Sequence, residues 1–238
     1  MKYASGYLEL TLKYGALSRH PLFANMRPEL RHPAFRRVSI SRSHKFCYFR
    51  VPKAANSTII QTLQVNMNPE LIADADTPFP KHALHGVPHL YEMPGLFVFT
   101  VVRNPITRLL SAYLQKTPQE KYINKYRLYL KNKRQRLSFE DFLHKLRDEL
   151  LYKDIHWAPQ TSILPYNIKQ YDYIGKFENL ESDLNFINSE IFSRKTGVFT
   201  VNHHKTESQD LLAQISRREL NILQNLYERD FIEFGYDA

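Results

Sequence analysis

The chain has 238 residues, of which 43% are hydrophobic, only 7 are glycine and one is cysteine. This suits one globular domain with a sizeable core and excludes both a low-complexity chain and an internal disulfide. With 33 basic against 24 acidic side chains the net charge is +9, pointing to anionic partners: nucleic acid, acidic lipid, or an anionic small ligand with an anionic glycan.

Residues 1–44 come first. Tyr7, Leu8, Leu10 and Leu12 suit a short strand or a helix, and the basic stretch from Arg19 to Arg42 is broken by Pro21, Pro28 and Pro33. It reads as a surface wrap around the core in preference to an arm that grips an acidic acceptor. From Phe46 to Val51 the chain is β-rich and aromatic, and Pro52 ends the run. Ile59, Ile60 and Leu63 then recur at helical spacing, so a strand, a tight turn and a helix start are predicted. Such a turn aims backbone N–H groups and the helix dipole at one spot, a seat for phosphate or sulfate. Lys53 adds a mobile charge, Ala55 to Thr58 supply the N–H groups, and Asn56, Ser57 and Thr58 can cap the helix or donate to the anion. It is not a Walker loop, because Ala54 and Ala55 stand where glycines would give closest approach. Cys47 reads as a small core residue.

The stretch 66–95 is irregular, with Pro69, Pro78, Pro80, Pro88 and Pro94, and carries His82, His85 and His89. No cysteine or carboxylate joins these histidines at a metal-ligand spacing, so no metal site is predicted. A histidine does suit a general base that works near neutral pH. Leu96–Val102 is a continuous apolar run, the pattern of a strand buried on both faces, and delivers Arg103 to its carboxyl end. Pro105 then sits in the first turn of a helix that places Ser111 about two turns along. Two strand-to-helix turns, each with a cation and hydroxyls, imply a ligand with two separated phosphates.

Tyr113 to Lys133 reads as a continuing helix and then a strongly basic one with Tyr122, Tyr126 and Tyr129 interleaved. Two readings of that face stand: a dock for a polyanion or sugar, or a solvated face with its tyrosines turned inward. An amphipathic helix capped by Ser138 follows, and then His156-Trp157-Ala158-Pro159-Gln160, a turn expected to present both rings. Gln170–Lys176 is predicted as a strand. Leu180, Leu184 and Ile187 mark one face of the next helix, Thr200–Thr206 is a polar segment, and Gln209–Tyr227 reads as one amphipathic final helix.

In this order and spacing, several segments resemble sulfotransferases that use 3′-phosphoadenosine 5′-phosphosulfate (PAPS). Val51–Thr58 is similar to their 5′-phosphosulfate loop, and Val102–Tyr113 to their 3′-phosphate motif, with Arg103 and Ser111 eight residues apart. The branch that sulfates carbohydrates, of heparan 2-O and chondroitin 4-O type (sulfotransferase family 2), also carries segments like His156–Gln160, Tyr171–Leu180 and Tyr227–Tyr236. The resemblance runs over residues 44–236.

It implies an α/β fold of the P-loop-NTPase type: a three-layer sandwich with a central, mostly parallel sheet flanked by helices, in one domain over residues 1–238. The implied chemistry is in-line transfer of a sulfuryl group from PAPS, leaving PAP, to a carbohydrate or other hydroxylated acceptor, neutral or anionic. Lys53 would steady the leaving phosphate, with Ala55, Asn56, Ser57 and Thr58 around it. Arg103 and Ser111 would take the 3′-phosphate, Phe177 would lie near the adenine, and Lys205 would close over the 3′-phosphate. The family's catalytic histidine falls near His85 or His82, in that order of preference, and the resemblance puts His156 at the acceptor pocket or beside the cofactor as a third choice. Animal enzymes of this branch sit in the Golgi membrane; with no apolar run near about 18 residues, a cytoplasmic location is expected here, and no nucleic-acid partner. The alternatives are a non-catalytic basic module for anionic glycan or RNA, and a nucleotide kinase, which would lack its Walker context.

Overall fold

The computed structural model describes residues 20–68, 84–129, 137–192 and 206–237, the side chains of 206–209 excepted. His82 and Lys205 lie outside the described residues.

Four strands form one sheet in the order β1 (Val38–Ser41), β2 (Phe46–Arg50), β3 (Phe97–Val102) and β4 (Tyr173–Lys176). β1 runs antiparallel to β2, while β2, β3 and β4 run parallel, with Tyr48 opposite Phe99 and Phe99 opposite Tyr173. The parallel strands have near-continuous burial, as sheets covered on both faces require. Alternation along β2 divides the core. Phe46 and Tyr48 face helix α2 (Asn56–Met67) and helix α7 (Leu180–Phe192), packing with Ile59, Leu63, Phe99, Leu184 and Ile187. Cys47 and Phe49 face the opposite layer with Leu22, Phe23, Leu30, Val98 and Ile163. This is the expected three-layer α/β arrangement.

That second layer corrects the reading of the amino-terminal stretch. Phe23, Leu30 on helix α1 (Pro28–Phe35) and Val38 have no solvent exposure, so residues 20–41 build core and supply an edge strand. A third cluster forms beyond the sheet around helices α3 (Pro105–Lys116), α4 (Glu120–Tyr126) and α5 (Phe139–Lys145), closed by the last helix. The short helix α6 is Gln160–Ile163.

Three expectations change. The continuing helix after Tyr113 stops at Lys116, and α4 ends where Arg127 turns left-handed at φ 51°. The single final helix is two, α8 (Thr206–Ala213) and α9 (Arg217–Phe234). Ser216 and Glu219 form a capping box that starts the second, a local signal the hydrophobic periodicity overrode. Trp157 is not presented to solvent; it is fully buried and donates its indole N–H to Leu150 O at 2.9 Å. Its area belongs to the core against Tyr126 and Phe142.

Candidate active site

The carboxyl ends of β2 and β3 stand side by side, so the turns leaving them share one patch. The first turn, after β2, bends sharply: Lys53 and Ala55 both adopt left-handed backbone, φ 70° and φ 55°, an arrangement strained for residues with a Cβ. Helix α2 then starts at Asn56 with no side chain capping it. The expected cap is therefore not made. Asn56 instead accepts a hydrogen bond from the buried Tyr48 hydroxyl at 2.8 Å, Ser57 is half-buried, and Thr58 is buried. What the turn offers a ligand is its backbone N–H groups and the positive end of the helix.

The second turn, after β3, is held by several side chains. Asn104 caps α3 by accepting from Ile106 N and Thr107 N, with Pro105 in the first position. Gln160 clamps the backbone of Arg103 from both sides, accepting from Arg103 N at 3.0 Å and donating to Arg103 O at 2.8 Å. Gln160 is fixed in turn by the buried Asp230 on α9, whose carboxylate accepts from Gln160 N, Thr161 N and the Thr161 hydroxyl. Glu178 accepts from Asn104 N and from the Tyr236 hydroxyl, tying the carboxyl-terminal segment to the same strand end.

The structure joins the two turns through side chains. Arg103 donates to Thr107 Oγ1 and to Lys53 O, and its guanidinium lies 4.2 Å from the centre of the Phe177 ring. Lys53 reaches across to Gln115 Oε1 at 3.0 Å. Beneath them Arg108, fully buried, donates to Pro52 O, Ala158 O and Ile155 O, pinning the Lys53 turn to the turn that carries His156. Ser111 lies half-buried further along α3. Sequence reasoning missed Arg108; a buried arginine looks like any other charged residue of an amphipathic helix until its three carbonyl partners are in place. It also missed Gln115 and Glu178, whose roles depend on contacts 62 and 74 residues distant.

The electrostatics of the cluster are dominated by burial and by cations near one another. Burial, followed by the neighbouring Lys116, Arg103 and Arg108, pushes the Lys53 ammonium down to about 8. Burial likewise lowers Arg103, opposed by Glu178. Among the described residues no carboxylate lies within salt-bridge distance of Lys53, Arg103 or Arg108. Like charges gathered in a partly dry place disfavour one another unless an anion arrives.

The candidate bases separate. His85 pairs with Ser39 on the free edge of β1, with Nδ1 3.2 Å from Val38 O and its ring edge-on to Phe35, so β1 stands between its backbone and β2. His156 sits in the turn that Arg108 holds against Pro52, with Nδ1 2.6 Å from Asp154 Oδ1. The basic stretch after α3 resolves toward the inward reading for two of its rings: Tyr122 and Tyr126 are buried against Trp157. Cys47 is buried, which pushes its thiol up and leaves it an inert core residue. Among the described residues no group of three or more potential ligands is placed to hold a metal ion.

A mostly parallel sheet flanked by helices, with cations gathered at two adjacent strand ends, defines the class as an α/β protein. The chain belongs to the sulfotransferase family, whose model matches residues 36–237. It is similar to carbohydrate sulfotransferase 10 of Xenopus laevis, 28% identical over 84% of this chain and 67% of the relative. Human carbohydrate sulfotransferase 9 is 27% identical over 96% of this chain and 58% of its own length, and carbohydrate sulfotransferase 14 of Danio rerio 27% over 89% and 65%. The chain thus spans about three fifths to two thirds of the length of these curated relatives. No solved structure matches significantly.

Proposed function

We propose that the protein transfers a sulfuryl group from PAPS to a hydroxyl of a carbohydrate acceptor. The observation that carries this reading is the meeting of Lys53 and Arg103, from two adjacent strand ends, with no carboxylate among the described residues in ion-pair contact with either. A nucleotide with phosphates at both 5′ and 3′ positions matches two such turns, and the uncapped start of α2 beside a flat ring, Phe177, suits its remaining features. The residues present fit the donor. PAPS, when bound, supplies an activated sulfuryl group on a phosphate leaving group. The relatives' names point to the sugar acceptor.

In this reading the N–H groups of Ala55 to Thr58 and the Lys53 ammonium hold the 5′ end and favour charge on the departing phosphate oxygen. Arg103, fixed by Gln160, grips the 3′-phosphate with Ser111. Arg108 keeps the Lys53 turn in place. A histidine takes the proton of the acceptor hydroxyl. Calorimetric titration tests the reading: PAP is expected to bind, and adenosine 5′-phosphosulfate, which has no 3′-phosphate, to bind at least tenfold more weakly because the charge-assisted contacts to Arg103 are missing. Equal binding of both, or of neither, would sink it.

A further inference from the structure

We infer that Asp154 and His156 form a positioned acid–base pair, with His156 Nε2 as the atom that takes the acceptor proton and Asp154 as the residue that orients it. The inference rests on the sulfotransferase reading and narrows its base to one residue.

The pair is built with more precision than a surface turn requires. A carboxylate only accepts, so the 2.6 Å contact fixes a proton on His156 Nδ1 and leaves Nε2 as the lone-pair nitrogen. Asp154 is itself held: Oδ1 also accepts from His156 N at 2.9 Å, and Oδ2 accepts from the Tyr126 hydroxyl at 2.8 Å. Both side chains are largely buried, 15% exposed for His156 and 11% for Asp154. Among the described residues no group engages Nε2, so the nitrogen a base would use is the one the fold leaves open.

The pair also stands beside the anion cluster. Tyr122 places its hydroxyl 3.3 Å from His156 Nδ1, and Lys116 lies 5.4 Å from the centre of the Tyr122 ring. The residue before it, Gln115, accepts from Lys53. Arg108 bonds both Ile155 O and Ala158 O, on either side of His156, as well as Pro52 O, so one buried side chain ties this turn to the Lys53 turn.

The groups facing His156 are Asp154 on its own turn, Tyr122 from α4, Lys116 from α3 and Arg37 ahead of β1. Burial lowers the imidazole, Asp154 raises it, and Lys116 and Arg37 lower it again, leaving it below the ordinary histidine value. Burial pushes the Asp154 carboxyl up, but the hydrogen bonds and charge of His156 and Tyr126 outweigh this and hold it below the ordinary carboxylate range. A neutral histidine next to an ionised aspartate is the resting state a general base needs.

The test follows the imidazole directly and so needs no acceptor. In nitrogen-15 histidine spectra of the full chain, the wild type is expected to show His156 with its proton on Nδ1, and PAP should shift its signals. Asp154→Asn should lower the His156 titration midpoint by about one pH unit and mix the tautomers, while PAP affinity in calorimetry changes by less than about twofold. Asp154→Glu should restore most of the midpoint. A proton on Nε2 in the wild type, or a midpoint unmoved in Asp154→Asn, overturns the proposal. If PAP binds and the His156 signals do not respond, the pair is structural and the sulfotransferase reading stands without it. If PAP does not bind, that parent reading fails and the proposal fails with it.

Discussion

The two strand-end turns have the same plan and opposite construction. Both follow a parallel strand, both lead into a helix of 12 residues, and both carry a cation. After β3 the turn's backbone is held: Asn104 caps the helix, Gln160 brackets Arg103, and Asp230 secures Gln160. After β2, the backbone is bent through left-handed Lys53 and Ala55, the helix start is uncapped, and the lysine is crowded by other cations. One turn has its helix start capped by the protein, and the other leaves its helix start open. Local strain kept at one turn is tolerable because the neighbouring turn and Arg108 over-determine its position.

Substitutions should separate the two. The largest effect is expected from Lys53→Ala, with PAP affinity down about 100-fold and sulfuryl transfer down on the order of 1000-fold. Its denaturant midpoint should be unchanged or higher, since one of four crowded charges is gone; a clearly less stable Lys53→Ala protein would break the comparison. Asp230→Ala should behave in the opposite way. It strands the amides of Gln160 and Thr161 in a buried place, a loss of about 3 kcal/mol in chemical denaturation, with the loss of PAP affinity following only as Arg103 loosens. Intact stability in that variant would show that the second turn is not held from α9.

The pH dependence sharpens the contrast further. Lys53 has a folded value near 8, below its unfolded value, so the charged form is disfavoured by folding. Between about pH 8 and 10 the unfolded chain holds a proton the free native protein lacks, and native stability contributed by this group rises with pH. Binding runs the other way: an anion favours the ammonium, so PAP affinity is full below pH 8 and falls as pH rises through it, by up to about tenfold per unit. Calorimetry in two buffers of different ionisation enthalpy at pH 8.5 should register proton uptake, and none would remove Lys53 from the site. The smallest effect is reserved for Ser111→Ala, about fivefold in PAP affinity, with binding of adenosine 5′-phosphosulfate unchanged.

Much of this plan is legible in the residues. The apolar run 96–102 could be little other than a buried strand, and Pro52 and Pro105 mark where β2 ends and α3 begins. Lys53 and Arg103 could therefore each be placed at a strand-to-helix turn; that the two strands are neighbours, and the residues in contact, comes from the sheet pairing. What sequence pattern cannot carry is long-range pairing. His85 looked the better base because of its distance from Arg103 along the chain, but its loop closes onto the outer edge of β1. Trp157 looked presented because a proline follows two residues later, yet the surrounding aromatic cluster from α4 and α5 takes its surface. Asp154 carried no signal at all, since an aspartate two residues before a histidine is common and only burial makes the pair distinctive.

The clamp on Arg103 draws on residues as distant along the chain as Asp230 and Tyr236. Asp230 on α9 holds Gln160, Tyr236 holds Glu178, and Gln160 and Glu178 in turn hold the backbone of Arg103 and Asn104. Until α9 docks, a nascent chain can possess its sheet order but not a competent nucleotide seat. A chain cut before Arg217 should therefore lose the proposed PAP binding even where its strands still pair.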